Sequence, residues 1–129
     1  MTQVKDKTDQ QLNRALAELM GWTVEIGPVT RLWRLMKDGK IKATSGESEE
    51  LMWSYAPDYS NDSAASLEVQ TKAIEVDYKS YIHNLNTVIY GECEDDGEYS
   101  AVSVEVTAAM LTASPRERAE AAYITLQGE

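Results

Sequence analysis

The 129-residue chain lacks phenylalanine and has only one cysteine and one histidine. Because the lone Cys93 cannot form an internal disulfide bond, it indicates a reducing compartment. One cysteine and one histidine also fall short of the ligand sets of the common zinc sites. No sequence feature pairs His83 with a nucleophilic residue, so we interpret it as a structural or surface histidine.

Long apolar runs and glycine-rich loops are also missing. No stretch reaches the length of apolar sequence that crosses a bilayer, so no membrane span is predicted. Residues 1–10 are largely polar and lack the apolar core of a secretion signal. The seven glycines are scattered, and none belongs to a phosphate-binding loop. These absences predict a chain without a bound cofactor.

Basic residues are scarce, with 12 Lys and Arg against 22 Asp and Glu and a formal net charge of -10. This surplus opposes direct binding to nucleic acid, because phosphate contacts need Lys and Arg. Five basic residues are concentrated between Arg31 and Lys42, whereas none occurs from Ser80 to Pro115. The acidity either keeps the protein soluble or forms a functional acidic face, and the sequence leaves both interpretations open.

A run of acidic residues around Cys93 is the obvious candidate for binding a hard cation such as Ca²⁺. Its spacing does not match a Ca²⁺ loop, and it surrounds a predicted hairpin turn, where charges are usually solvated. We therefore predict no metal site here. The residues of this run are Glu92, Cys93, Glu94, Asp95, Asp96 and Glu98.

Length and composition predict a single α+β domain over residues 1–129. Residues 1–7 are expected to be disordered. A first helix should begin near Thr8 or Asp9, because apolar residues then recur on one helical face. Gly21 supplies its C-terminal stop.

Strand patterns follow this helix. Residues 22–26 alternate between apolar and polar side chains, which is typical of a half-buried strand. Residues 29–37 and 40–44 predict a hairpin that turns at Asp38-Gly39, a dipeptide that readily takes positive φ angles.

A second helix is predicted after Pro57, with Ser60 or Asn61 as its N-cap. Its apolar residues recur at steps of three and four, which predicts one buried face. That face is Ala64, Leu67, Thr71, Ile74 and Tyr78, widened by Val69, Ala73 and Val76. A second hairpin should follow over residues 81–92 and 98–107, turning at Asp96-Gly97.

The end of the chain carries the clearest helix signal. Ser114 is expected as N-cap, Pro115 as the first helical residue and Glu117 at the reciprocal position of a capping box. The buried stripe of this helix is Ala119, Ala122, Tyr123 and Leu126. The predicted fold is an antiparallel or mixed sheet built from hairpins and covered by three helices.

Large aromatic side chains surround Pro57, and rigid aromatics are favoured at binding surfaces. Core packing is the alternative for Trp53 and Tyr59. A further tryptophan from the first hairpin and a carboxylate after Pro57 complete the predicted binding site. Its members are Trp53, Tyr55, Asp58, Tyr59 and Trp33.

Asp58 and Asp62 also form a carboxylate pair, which can perform acid/base chemistry without any motif. Asp58 equally suits a turn after Pro57, and Asp62 suits the first turn of a helix, where negative charge meets the positive dipole end. We favour the structural interpretation. A small carboxylate-dependent hydrolase is the enzymatic alternative.

Three segments carry a resemblance to a known family. The first helix closes on Leu19-Met20-Gly21-Trp22, the centre reads Pro57-Asp58-Tyr59-Ser60-Asn61-Asp62-Ser63-Ala64-Ala65, and Thr112-Ala113-Ser114-Pro115 leads into an alanine-rich helix. Their order and spacing resemble the phage ABA sandwich domain family, with its Met-Gly-Trp, Pro-x-Tyr-Ser-Thr-Asp and Thr-Ala-Pro segments. The chain departs from this pattern with Asn61 in place of Thr and Ser114 before Pro115. The resemblance implies a phage or prophage origin and a helix-covered sheet, and it implies no reaction.

The leading hypothesis is a non-enzymatic phage accessory protein that acts in the host cytoplasm. Its partner would be a host defence protein or a small nucleotide-like signal, which makes it a counter-defence inhibitor or a signal binder. An acidic nucleic-acid mimic that inhibits a host DNA- or RNA-binding enzyme is the alternative. Short hairpins leave sheet edges that need covering, so a homodimer is also predicted.

Overall fold

The computed structural model describes residues 4–91 and 104–128, without the side chains of residues 104–106. It confirms an α+β fold with an antiparallel sheet, although these ranges contain five α-helices rather than three. None of these helices is both long and apolar enough to cross a bilayer. The elements are α1 (Asp9–Leu19), β1 (Trp22–Ile26), β2 (Trp33–Lys37), β3 (Lys40–Ser45), α2 (Glu49–Trp53), α3 (Ser63–Tyr90), α4 (Val104–Leu111) and α5 (Pro115–Gln127).

The first helix begins and ends where its local signals predict. The Thr8 hydroxyl accepts from the Gln11 backbone N–H at 3.1 Å, and the Gln11 side chain accepts from the Thr8 N–H at 2.9 Å. This capping box satisfies two backbone donors that would otherwise lack helical partners. Gly21 follows with a φ of 98°, a conformation that ends the helix at little steric cost.

Residues 4–7, which belong to the segment expected to be disordered, contact the core and α5. Val4–Asp6 form a single 3₁₀ turn, and the Val4 side chain packs against the core. Arg116 of α5 donates from Nη2 to the carbonyl oxygens of Lys7 at 2.7 Å and Val4 at 3.3 Å. A guanidinium offers five donors in a fixed planar arrangement, so one side chain can hold this segment against α5.

The sheet is antiparallel in the order β1-β2-β3. The hairpin turn at Asp38 and Gly39 is confirmed, since these residues have φ angles of 55° and 77°. The first strand of this hairpin is shorter than predicted, because Gly27 donates to the carbonyl of Leu32 at 2.8 Å and closes residues 28–31 into a loop. Only the end of the predicted 29–37 strand is therefore free to pair.

One face of the sheet is covered by α2. Leu35 at the centre of β2 and Met52 of α2 are both buried, and α2 contacts all three strands. On the opposite face, Arg34 and Glu25 form an ion pair that is open to solvent. The sheet is thus half-covered, which is the usual arrangement for an antiparallel sheet.

The second predicted hairpin is wrong in its first strand, because α3 continues through residues 81–90 as a helix. The buried residues of that stretch recur at helical steps of four and three: Tyr81, Leu85 and Val88. The turn at Asp96-Gly97 lies outside the described residues, as does the predicted strand up to residue 103. Residues 104–107, predicted as its end, belong to helix α4.

The N-cap of α3 is Asp62 rather than Ser60 or Asn61. The Asp62 carboxylate accepts from the backbone N–H of Ala64 at 3.0 Å. The Ser60 N–H and hydroxyl instead donate to the side-chain oxygen of Asn13. The helix therefore starts one or two residues later than predicted.

The long helix α3 is interrupted at Asp77, where the backbone is extended with φ -161° and ψ 88°. The Asp77 carboxylate accepts from the Ser80 N–H at 3.1 Å and from the Ser80 hydroxyl at 2.8 Å. These hydrogen bonds lower the pKa of Asp77, because they favour the charged carboxylate. Asp77 acts as the N-cap of the second half of the helix.

The face of α3 that enters the core lies opposite the predicted one. Ala65, Val69 and Ala73 are buried there. The main predicted stripe is wrong, because all five of its residues are exposed, from Ala64 through to Tyr78. Of the three residues expected only to widen it, Val69 and Ala73 are buried and Val76 is exposed.

The core is centred on the contact between α3 and α5. Ala119, Ala121 and Ala122 of α5 are completely buried, and such small side chains let two helices approach closely. Polar groups link the same pair of helices. Arg118 donates from Nε to the Ser66 hydroxyl at 3.0 Å.

The predicted start of α5 is confirmed in full. Ser114 is the N-cap, Pro115 is the first helical residue and Glu117 completes the capping box. The Ser114 hydroxyl accepts from the Glu117 N–H at 3.1 Å, and the Ser114 N–H donates to the Glu117 carboxylate at 2.8 Å. This cap lies at the entry of the most deeply buried helix.

Ser114→Ala is expected to lower the melting temperature by a few degrees. Loss of such a cap costs about 1 kcal/mol, and α5 belongs to the cooperative core of the domain. Thermal unfolding followed by circular dichroism measures the effect. Ser63→Ala, which replaces an exposed serine at the first residue of α3, is the matched control. Equal melting temperatures for Ser114→Ala and the parent protein would contradict this role of the cap.

Candidate functional site

Helices α1 and α2 bring an arginine, a glutamate and a tryptophan together at the surface. The Arg14 guanidinium lies over the Trp53 ring, 5.0 Å from its centroid. Arg14 Nη2 is 3.1 Å from Glu49 Oε2, and the Trp53 indole N–H donates to the same oxygen at 3.4 Å. We call the surface formed by Arg14, Glu49, Trp53 and Tyr55 the aromatic edge.

Local hydrogen bonds explain why α2 presents these side chains. Ser48 caps the helix by accepting from the Leu51 N–H at 3.1 Å, and Glu49 and Trp53 then lie four residues apart on one helical face. After Trp53 the chain turns, with the Tyr55 N–H donating to the Met52 carbonyl at 3.0 Å. Trp53 therefore packs partly against the core, while Tyr55 stays 55% exposed.

The contacts of Arg14 contribute orientation more than stability. The side chains of Arg14 and Glu49 are 43% and 42% exposed, and exposed ion pairs contribute at most about 1 kcal/mol. A cation over an exposed aromatic ring adds about 0.5–1 kcal/mol. Arg14 contacts the face of the Trp53 ring, and Glu49 accepts from its indole N–H. Together these two contacts restrict the orientation of Trp53, which lowers the entropy cost of binding a partner.

Asp58 lies next to the aromatic edge in sequence and is held by two side-chain amides. Asn13 donates to its Oδ1 at 2.8 Å, and Asn61 donates to the same oxygen at 3.2 Å. Asn13 also accepts from the Ser60 N–H at 2.9 Å, so it connects α1 to the 57–62 segment. The predicted site residue Asp58 is therefore exposed and oriented.

Tyr59 is a predicted site residue that the structure places in the core. It is 1% exposed, and burial raises its pKa to about 12. The ring therefore belongs to the core and cannot contact a partner in this state. Core packing, the alternative considered for Tyr59, describes its position.

Trp33 belongs to the sheet. It is half-buried at the start of β2, where it pairs with Ile26 and Ser45. No described hydrogen bond or cation–π contact joins Trp33 to Trp53 or Tyr55. Three of the five predicted residues, Trp53, Tyr55 and Asp58, are at least partly exposed in the segment 53–58.

The carboxylates of the described ranges serve mainly structural contacts. Asp62 caps α3, and Asp58 accepts from two amides, which fits the structural interpretation of both. No group of three His, Cys, Asp or Glu in residues 4–91 and 104–128 could hold a metal ion. The acidic run from Glu92 to Glu98 lies outside those ranges. His83 lies on the exposed side of α3 rather than in a strand.

Comparison with known proteins gives no counterpart: no family model matches the chain, and no curated protein or solved structure matches it. The resemblance to phage ABA sandwich proteins stays a prediction. The geometry of the aromatic edge is the basis for a functional proposal.

Asn13→Ala is expected to destabilise the protein by about 1–3 kcal/mol, because it leaves the buried N–H and hydroxyl of Ser60 without their acceptor. Urea unfolding measures the change in free energy. Gln10→Ala, an exposed position on the same helix, is the control and should unfold like the parent protein. Coincident unfolding curves for Asn13→Ala and Gln10→Ala would show that the junction is energetically unimportant.

The raised pKa of Tyr59 predicts a loss of stability at alkaline pH. Its neutral phenol is favoured in the folded state, so this contribution is complete below about pH 10 and is lost as the pH rises towards about 12. Urea midpoints measured across this range should fall less steeply for Tyr59→Phe than for the parent. Tyr55→Phe should keep the parental slope. Identical slopes in Tyr59→Phe and the parent would contradict the prediction.

Proposed function

We propose that this chain is a non-enzymatic phage or prophage accessory protein that binds a host component through the aromatic edge, in the host cytoplasm. The observation that carries this proposal is the exposed Tyr55, two residues after a Trp53 ring that Arg14 and Glu49 both contact. Tyrosine, tryptophan and arginine are the residues most enriched among the energetically dominant positions of protein interfaces. Such a partner would be a component of host defence.

The charge around the aromatic edge favours a protein over a nucleotide-like ligand. A nucleobase could stack on Tyr55, and its phosphate would then need a free cation. Arg14 already faces the carboxylate of Glu49 at 3.1 Å, and Asp58 adds a further exposed negative charge. An anionic ligand would therefore meet repulsion, whereas a neutral or basic protein surface would not.

Tyr55→Ser is expected to abolish partner capture without changing stability. Immobilised parent protein would be incubated with host bacterial lysate, and retained proteins identified by mass spectrometry. Tyr90→Ser is the matched control, because Tyr90 is 58% exposed but lies at the end of α3. The partner should be retained by Tyr90→Ser and lost with Tyr55→Ser.

A second variant tests Trp53, which is half-buried in the aromatic edge. Trp53→Ala should weaken capture at least as strongly as Tyr55→Ser, with its melting temperature measured to exclude unfolding. Equal retention by the parent, Tyr55→Ser and Trp53→Ala would rule out the aromatic edge. A thermal shift by free nucleotides that is lost in Tyr55→Ser would reassign the edge to a nucleotide-like ligand.

The acidic nucleic-acid mimic is the second candidate, and charge segregation favours it. The basic residues between Arg31 and Lys42 lie in the sheet hairpin and just before it, whereas the helices carry ten Asp and Glu against five Lys and Arg. The run from Glu92 to Glu98 adds five further acidic residues. A mimic binds through many exposed carboxylates, and its complex should dissociate when salt rises from about 0.1 M to about 0.5 M. Capture that resists salt and depends on Tyr55 supports the aromatic edge instead.

A further inference from the structure

A short segment before α1 lies against helix α5. Val4–Asp6 form one 3₁₀ turn, which the Lys7 N–H closes by donating to the Val4 carbonyl at 3.1 Å. The turn contacts α5, and none of residues 4–7 is buried. We call residues 4–7 the strap.

Two side chains of α5 hold the strap. Arg116 donates from Nη2 to the carbonyl oxygens of Lys7 at 2.7 Å and Val4 at 3.3 Å. The Lys7 ammonium lies over the Tyr123 ring, 5.3 Å from its centroid. Arg116 and Tyr123 are seven residues apart, so they project from the same side of the helix. These contacts, with the Val4 side chain against the core, attach the strap.

The helices on both sides of the strap have helix starts of their own. The capping box of α1 joins Thr8 and Gln11, which follow the strap, and α5 is capped at Ser114. Neither of these caps includes a hydrogen bond from residues 4–7. Opening the strap therefore breaks no helix cap, and such local opening costs less free energy than global unfolding.

Arg116 stays oriented when the strap opens. Its Nε donates to the Glu120 carboxylate at 2.6 Å, and its Nη1 donates to Asp9 at 2.7 Å. The two N–H groups of Nη2 are the ones that the strap occupies. Opening therefore leaves an oriented guanidinium with two unused donors, and it uncovers the face of the Tyr123 ring that Lys7 covers.

The charge of this surface favours a basic peptide segment over an anion. Asp9 and Glu120 already place two carboxylates around the guanidinium of Arg116. An anion would be repelled by these carboxylates, whereas a backbone carbonyl accepts from Arg116 without adding charge. A lysine over the Tyr123 ring adds a cation–π attraction. The strap itself has this chemistry.

We propose that the strap is a detachable cover of a peptide-binding site on α5. It opens while the domain stays folded, and a segment of another protein then binds Arg116 and Tyr123 in its place. That segment presents two backbone carbonyls and a lysine, as residues 4–7 do. The strap is thus an autoinhibitory contact, and the site shares no residue with the aromatic edge.

Amide hydrogen exchange measures the opening of the strap. The Lys7 N–H should have a protection factor at least about tenfold lower than the Leu12 N–H, which donates to Thr8 at 2.9 Å within α1. Val4→Asp should lower Lys7 protection by about another tenfold and leave Leu12 unchanged, because it weakens only the strap. Val29→Asp is the matched control, since Val29 is 89% exposed between β1 and β2. It should exchange like the parent.

A second variant tests the attachment at Arg116. Arg116→Met combined with Glu120→Met removes both members of an ion pair, so no buried carboxylate loses its cation. Protection of the strap should fall as in the first variant. Arg34→Met combined with Glu25→Met is the matched control, because the Arg34 side chain is 24% exposed and that of Arg116 is 25% exposed. Circular dichroism checks that each variant keeps the parental helix content.

A peptide added in solution tests the site itself. An acetylated and amidated peptide of residues 4–8 would be titrated into the Val4→Asp protein, with the NMR signals of the Tyr123 ring as the measurement. Its dissociation constant should be on the order of 1 mM, comparable with the effective concentration of a segment on a short tether. The parent should bind it at least about tenfold more weakly, because its own strap occupies the site. A peptide carrying Val4→Asp and Lys7→Ala should not bind.

Three results would overturn the proposal. Equal Lys7 protection in the parent and in Val4→Asp means that the strap is not attached. Equal protection of Lys7 and Leu12 in the parent means that the strap opens only when the domain unfolds. Failure of the peptide to bind the folded Val4→Asp protein at about 10 mM, tenfold above the expected constant, means that this side of α5 is not a peptide-binding site.

Discussion

The close contact between α3 and α5 is the constraint on which the rest of the structure depends. Completely buried alanines on α5 let the two helices approach, and this approach selects the side of α3 that carries Val69 and Ala73. In the first half of α3, Leu67 and Ile74 are thereby directed to the exposed side. The contact between α3 and α5 thus determines which residues of this half enter the core and which apolar residues stay exposed, because only one face of a helix lies in such a contact.

Polar junctions attach the remaining elements to this helix pair. Arg116 binds Asp9 of α1 at 2.7 Å and also holds the start of the chain. Asn13 joins α1 to the segment that precedes α3. The half-buried Trp22 and Trp53 pack against the core from the sheet and from α2, so the aromatic edge forms where these elements meet the helices. Its geometry depends on tertiary contacts as much as on α2 itself.

The sequence indicated part of the candidate site but not the contacts that build it. Aromatic residues around Pro57 point to segment 53–58, which contains Trp53, Tyr55 and Asp58. Tyr59 could not be separated from them, because one residue along an irregular segment can reverse a side chain from surface to core. Arg14 was missed, since it lies 35 residues before Glu49 and only folding brings them together. If residues 49–53 had been recognised as a helix, the four-residue spacing of Glu49 and Trp53 would have predicted their contact.

The sequence by itself determined those features whose hydrogen bonds close within a few residues. The start of α1, the Asp38-Gly39 turn and the cap of α5 are of this kind, because their donors and acceptors lie within three residues of each other. Only the tertiary structure decided the helical state of residues 81–90 and the buried face of α3. Both faces of α3 carry apolar residues at helical spacing, so periodicity could not choose between them. Close packing determined which face of α3 is buried, because the small residues of α5, about fifty positions away in sequence, pack against only one of the two faces.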